Sequence, residues 1–199
     1  MSRLLETICI EDGQAPLLPY HAERMQRSRY QLLKAKDALD LEAAISPLLS
    51  QNPRGLFKCR ILYSRQIEEI SCTPYQRPVI RSLKKVYCND IDYAHKYEER
   101  SLLKQLYQRK QSCDDIIIIK NGWVSDTYIG NIMLYDGRGW YTPDTPLLCG
   151  VRRQYLLNQG QVRPVDIREQ DLKKYQAFTF VNAMNPFVPS VVQDIRHIH

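Results

Sequence analysis

The stretch Asp114-Asp115-Ile116-Ile117-Ile118-Ile119-Lys120-Asn121-Gly122-Trp123-Val124-Ser125-Asp126-Thr127 decides the kind of fold. Four consecutive isoleucines show no polar alternation, so that strand must be covered on both faces. Asn121-Gly122 is the preferred dipeptide for a two-residue hairpin turn, where both central residues need a positive φ. Residues 123–127 are therefore expected to pair back on the isoleucines.

Outward from this hairpin the pattern mixes strands and helices. Residues 129–135 read as a further strand closed by Asp136-Gly137, a helix is expected from about 150 to 158, and 162–167 and 178–181 read as late strands. Upstream, Leu102, Leu103, Leu106 and Tyr107 recur at helical spacing, which predicts a helix over 94–110 carrying Lys96, Lys104 and Lys110. Earlier still, 80–87 reads as a short strand, and 56–63 with 67–72 as a hairpin after the Asn52-Pro53-Arg54-Gly55 turn. Helices are expected over 20–33 and 41–49, the second blurred by Pro47, and a first strand over 4–10 before Asp12-Gly13. The order is that of an α+β protein, with a small N-terminal domain over 1–85 and a larger one over 86–199.

Composition narrows the class. The chain has 199 residues, 44% hydrophobic and 25% charged, which suits a globular protein and excludes a disordered one. The longest aliphatic run, 116–119, is far short of a membrane helix, and the N-terminus meets an acid at Glu6 with no signal-peptide core. A cytoplasmic protein without a membrane partner is expected. The six cysteines form no C-x-x-C pair and no zinc-finger spacing, so no metal is expected. The net charge of +6 comes from scattered basic residues, which fits an anionic small ligand better than nucleic acid.

Five segments, taken in order, resemble one family. They are Leu5-Glu6-Thr7-Ile8 with Asp12-Gly13; His21-Ala22-Glu23-Arg24-Met25-Gln26-Arg27-Ser28; Lys96 with Arg100; Asp114-Asp115 through Asn131; and Thr142-Pro143 with Leu147-Leu148-Cys149-Gly150-Val151-Arg152-Arg153. Together they are similar to the class IV aminotransferases, whose members include branched-chain and D-amino acid aminotransferases and 4-amino-4-deoxychorismate lyases. The resemblance implies a fold type IV enzyme: a small N-terminal α/β sandwich domain and a larger β-barrel-like domain with helices. It also implies pyridoxal 5'-phosphate as cofactor and Lys96 as the catalytic Schiff-base lysine. Arg24 is then expected at the cofactor phosphate, where a guanidinium fork suits phosphate oxygens. Gly150, Val151 and Arg152 are expected to offer a helix N-terminus to the same phosphate. Asp126, where most members have Glu, is expected at the pyridine nitrogen, with Asn131 and Asn182 completing the cofactor site. Asp keeps the charge on a side chain one methylene shorter. Arg152 is unusual for the family and adds a cation.

The stretch Val181-Asn182-Ala183-Met184-Asn185-Pro186-Phe187-Val188 is similar to the N-A-L-M-P-V segment of the aminodeoxychorismate lyases and tilts the choice toward them. The resemblance then implies β-elimination of pyruvate to give 4-aminobenzoate, in folate biosynthesis. A substrate amine carrying carboxylates calls for cations, and Arg60, Arg152 and Lys58 are the candidates, with Ala183 and Met184 lining the site. Arg60 and Lys58 are equally compatible with the solvent side of an alternating strand. The alternatives are a branched-chain or D-amino acid transaminase, which uses the same lysine and acid, and a non-catalytic pyridoxal-phosphate-binding protein. Family members build their sites at a two-fold interface, so a homodimer is expected. The family usually begins with a further strand before F-E-T, which is absent ahead of Leu5 here.

Overall fold

The structure, a computed structural model, describes residues 3–199. The chain divides into two compact units, one running up to Arg77 and including His95–Glu99, the other made of Pro78–Ala94 and Arg100–His199. The division after Arg77, and the inclusion of Lys96 in the first unit, stand beside the sequence expectation of a boundary after 85 with the lysine in the second domain.

In the first unit, β1 (Leu4–Glu11), β2 (Leu56–Tyr63) and β3 (Ile67–Pro74) form an antiparallel sheet in the order β1-β2-β3. Alternation puts Leu4, Ile8 and Ile10 of β1 and Cys59, Ile61 and Tyr63 of β2 on one face. There they pack with Met25 of α1 (Leu18–Leu33) and with Leu41 and Ile45 of α2 (Leu41–Gln51). Asp12 and Gly13 take φ values of 49° and 73°, the pair of positive values that a tight two-residue turn demands. The Asp40 carboxylate caps α2 by accepting from Ala43 N at 2.8 Å, and the helix continues through Pro47.

The segment His95–Glu99 joins this unit because its backbone bonds to β1. Leu5 N donates to Lys96 O at 2.9 Å, Glu98 N donates to Arg3 O at 3.0 Å, and the Arg3 guanidinium holds the Glu98 carboxylate at 2.7 and 3.0 Å. The helix expected over 94–110 is therefore shorter: α3 spans Ser101–Tyr107 and a 3-10 turn follows over Gln108–Lys110. All four apolar residues that predicted the helix lie within α3. The upstream extension had no apolar repeat behind it, and its backbone is engaged by a strand instead, so Lys96 lies on an irregular strap and not on a helix.

In the second unit, β4 (Leu83–Tyr87), β5 (Asp115–Lys120), β6 (Trp123–Thr127), β7 (Asn131–Tyr135), β8 (Trp140–Pro143), β9 (Arg163–Val165), β10 (Ala177–Val181) and β11 (Gln193–Asp194) form one sheet. Its main path is β11-β10-β7-β6-β5-β4, with β8 beside β7 and β9 beside β8. β4–β5 and β8–β9 are parallel and the other pairs antiparallel. Every isoleucine of 116–119 is at most 1% exposed, as a strand covered on both faces requires. The Asn121-Gly122 turn has φ values of 52° and 78°. α4 (Val151–Asn158) buries Leu156 with Met133, Val162 and Val181. No helix among the described residues is long and apolar enough to cross a membrane.

Candidate active site

In the first unit the chemistry gathers around a carboxylate that the sheet turns inward. Glu6 shares its face of β1 with Leu4 and Ile8 and is fully buried. An ionised carboxylate in such a place must be paired. Two residues of α1, one turn apart, do this: His21 Nδ1 lies 2.6 Å from Glu6 Oε2, while Arg24 donates through Nε at 2.9 Å and through Nη2 at 2.5 Å. Burial works to raise the Glu6 pKa, but Arg24 and His21 together outweigh it and hold the group down at about 2. His21 is also fully buried, and its pKa is lowered, first by burial. The bond to Glu6 opposes that shift, and the charges of Arg24 and Lys96 add to it. Lys96 is half-buried, its backbone clamped beside Glu6 through Leu5. Its neighbour His95 places Nδ1 3.0 Å from Ser28 Oγ, which fixes the strap against α1.

The opposite face of this sheet carries different residues. Cys59 and Ile61 point into the core, so Lys58 and Arg60 point away from it. The register puts Arg60 of β2 between Thr7 of β1 and Ser71 of β3, and Lys58 between Cys9 and Thr73. Lys58 Nζ lies over the Tyr75 ring at 5.3 Å. The result is a face with two cations, Arg60 flanked by the hydroxyls of Thr7 and Ser71 and Lys58 by Cys9 and Thr73, and Arg60 is only half-exposed.

In the second unit Asp126 is the focus. It pairs in register with Asn131 across the β6–β7 turn. Asn131 Nδ2 donates to Asp126 Oδ1 at 2.8 Å and to Leu148 O at 2.9 Å, while Leu148 N donates to Asp126 Oδ2 at 2.9 Å. Burial pushes Asp126 up to about 6 in spite of these donors and of the Arg153 charge. Asn131 also explains Gly150. A Cβ at Gly150 would come within 2.1 Å of Asn131 Oδ1, although its φ of −69° and ψ of 140° suit any residue. The glycine thus serves close approach, not backbone freedom.

Gly150 is the N-cap of α4 and no side chain caps that end. The first-turn N–H groups and the positive end of the helix are the standard elements of an anion site. The Val151 side chain is only 3% exposed and belongs to the core, so that residue has only its backbone N–H to offer there. Arg152 Nη2 lies 3.4 Å from Ala183 O, and Arg153, 5% exposed, donates through Nη2 to Pro143 O at 2.8 Å. The turn after β10 is set by Asn182, whose Oδ1 accepts from Met184 N at 2.8 Å and Asn185 N at 2.9 Å and whose Nδ2 donates to Ile129 O at 2.9 Å. Gly130 completes this corner, since a Cβ there would meet Val181 O at 2.4 Å. Met184 is buried and Ala183 half-buried at that turn.

Residues 3–191 match the family model described as amino-transferase class IV. The chain belongs to the class IV aminotransferase family. Its members are pyridoxal-phosphate-dependent enzymes of fold type IV, and the mixed sheets and few helices described above are that fold. An uncharacterized protein of Haemophilus influenzae is 39% identical over 190 residues, 93% of this chain and 99% of that one. A crystal structure from Haemophilus somnus, provisionally assigned as a 4-amino-4-deoxychorismate lyase, is 39% identical with a TM-score of 0.90, over 94% of this chain and 98% of that one. The branched-chain amino acid aminotransferase of Escherichia coli shares the fold at 16% identity and a TM-score of 0.72, over 99% of this chain and 76% of that one.

The structure thus brings Arg24 and Lys96 into the first unit, and Asp126, Asn131, Gly150, Val151, Arg152 and Asn182 into the second. Sequence reasoning quoted Glu6 and His21 only as parts of motifs and missed the buried cluster they make with Arg24. A signal for it existed. Glu6 has the same parity as Leu4, Ile8 and Ile10 on an otherwise apolar strand, and His21 and Arg24 stand three apart on the helix that follows.

Proposed function

We propose that this chain is a pyridoxal-phosphate-dependent lyase acting like 4-amino-4-deoxychorismate lyase. It would release pyruvate by β-elimination and leave 4-aminobenzoate, a step of folate biosynthesis. The observation that carries the choice of reaction is the 39% identity to the Haemophilus somnus protein over nearly the whole of both chains. The Asn182–Met184 stretch supports the same choice.

The residues present suit this cofactor. Asp126 is a buried acid whose pKa burial holds up to about 6, so a cationic ring nitrogen would give it the positive partner it lacks. A carboxylate has about four lone-pair sites, and the donors from Asn131, Leu148 and Leu147 do not fill them all. The uncapped α4 terminus at Gly150–Arg152 and the Arg24 guanidinium are both suited to a phosphate. Asn131 and Asn182 would hold the strands and turn that carry these groups. When bound, pyridoxal phosphate supplies an electron-accepting ring beside the carbon that bears the substrate amine.

Lys96 would hold the cofactor covalently and, once displaced by the substrate amine, take the proton from the amine-bearing carbon as general base. Asp126 would keep the ring nitrogen protonated. Arg60 and Arg152 would attract the carboxylates of the substrate, with Ala183 and Met184 beside it. The active form is proposed to be a homodimer in the cytoplasm, binding a small-molecule amine and no metal, membrane or nucleic acid.

The test is a pair of incubations of the purified protein, one with aminodeoxychorismate and one with amino acids plus 2-oxoglutarate. Formation of 4-aminobenzoate and pyruvate is expected in the first. Transamination in the second, with no lyase product in the first, would replace this reading by that of an amino acid transaminase.

A further inference from the structure

The Glu6–His21–Arg24 cluster is an expensive feature for a small sheet to carry. A buried ion pair adds little net stability over apolar residues of the same shape, so its value lies elsewhere. Here the geometry points to orientation. Arg24 meets Glu6 through two nitrogens on one edge of its guanidinium, Nε and Nη2, with both carboxylate oxygens engaged. A fork of this kind fixes the plane of the guanidinium. His21 Nδ1 then bonds Oε2, the same oxygen that takes Arg24 Nη2, and so pins the carboxylate from a second side.

His21 is suited to that task because it stays neutral. Burial and the positive charges of Arg24 on α1 and Lys96 on the strap all disfavour a second ring proton, against the pull of Glu6 on β1. The ionised Glu6 accepts only, so the single ring proton sits on Nδ1. Nε2 is buried and has no hydrogen-bond partner. A side chain kept in this position with one nitrogen unsatisfied serves its other nitrogen.

We propose that Glu6 and His21 are positioning residues that hold the Arg24 guanidinium in one orientation for the phosphate of a phosphorylated ligand. This rests on the cofactor reading above, and it assigns Glu6 and His21 to the ligand's phosphate and to no other part of it.

The test compares pyridoxal phosphate with pyridoxal, which has the same reactive aldehyde and no phosphate. Dissociation constants are read from the visible absorbance of the lysine-bound ligand in wild type, His21→Phe and His21→Asn. Phenylalanine fills the space but cannot donate to Glu6, while asparagine can place an N–H near the position of Nδ1. Loss of a hydrogen bond to a charged group predicts that His21→Phe weakens pyridoxal phosphate by about tenfold or more. His21→Asn should restore binding to within about twofold by replacing that bond. Pyridoxal should bind all three proteins alike. Equal weakening of both ligands, or of neither, overturns the positioning role and leaves the cofactor reading intact. If wild type binds neither ligand, the cofactor reading falls and takes this proposal with it. Should His21→Phe fail to fold, Glu6→Gln, which keeps the shape but loses the charge, must show the same phosphate-selective loss.

Discussion

Replacing Gly150 by alanine tests how the second unit builds its site. The backbone at Gly150 is ordinary, so alanine meets no conformational strain there. It meets Asn131 instead, with its Cβ only 2.1 Å from Oδ1. Asn131 is 4% exposed and held by two bonds, so it cannot swing away without breaking them. The bond to Asp126 is charge-assisted and contributes about 1.5–3 kcal/mol, and the bond to Leu148 O about 1 kcal/mol. Gly150→Ala should therefore destabilise the protein by about 3 kcal/mol, near the upper end for a single substitution. For a chain of this length that lowers the unfolding midpoint by about 6–12 °C. Thermal and urea unfolding without ligand read the effect. A double-mutant cycle isolates its cause: in an Asn131→Ala background the clash is gone, and Gly150→Ala should cost less than about 0.5 kcal/mol. A full cost in both backgrounds, or a negligible cost in the first, would refute the reasoning.

Three further outcomes are expected. Burial raises Asp115 from 3.8 to about 6, so the folded state holds this proton more tightly than the unfolded chain; stability is greatest below about pH 4 and falls as pH rises through 6, by about 3 kcal/mol in all. Asp115→Asn should remove that part of the slope in urea unfolding at pH 4 and pH 7.5, and identical slopes in both proteins would count against it. Lys96→Ala should abolish the visible band and turnover while leaving the strap anchored to β1, because the carbonyl of residue 96 still accepts from Leu5 N; a retained band would show another lysine at work. Arg60→Ala should lower kcat/KM for a dicarboxylate amine by about tenfold or more with little loss of stability, since Arg60 lies on the sheet face away from the core; unchanged kinetics would return Arg60 to an ordinary surface role.

Much of this was legible in the residues themselves. The isoleucine run, the two turns with paired positive φ and the α4 start at Gly150 were all local signals, and each element formed where its pattern was dense. Strand β8 was missed because Trp140–Pro143 is short, ends in proline and draws its order from β7 and β9. The strap at His95–Glu99 was read as helix because a continuous run of polar and aromatic residues says nothing about a distant strand that bonds its backbone. Gly150 was read for its helix start alone, and its contact with Asn131 was invisible across nineteen positions of sequence.

What the sequence determined alone is the class of chemistry. The identities and order of Arg24, Lys96, Asp126 and Gly150 establish the family, because motif spacing is a property of the chain. Only the tertiary structure decided the state of those groups. Glu6 is driven down to about 2 and Asp126 up to about 6, although both are buried carboxylates. The difference lies in the partners that packing brings: a cationic fork lies directly on Glu6, whereas Asp126 receives only neutral donors and a more distant arginine. Charge interactions depend on distance through space, and a one-dimensional pattern carries that distance only where the neighbours are local.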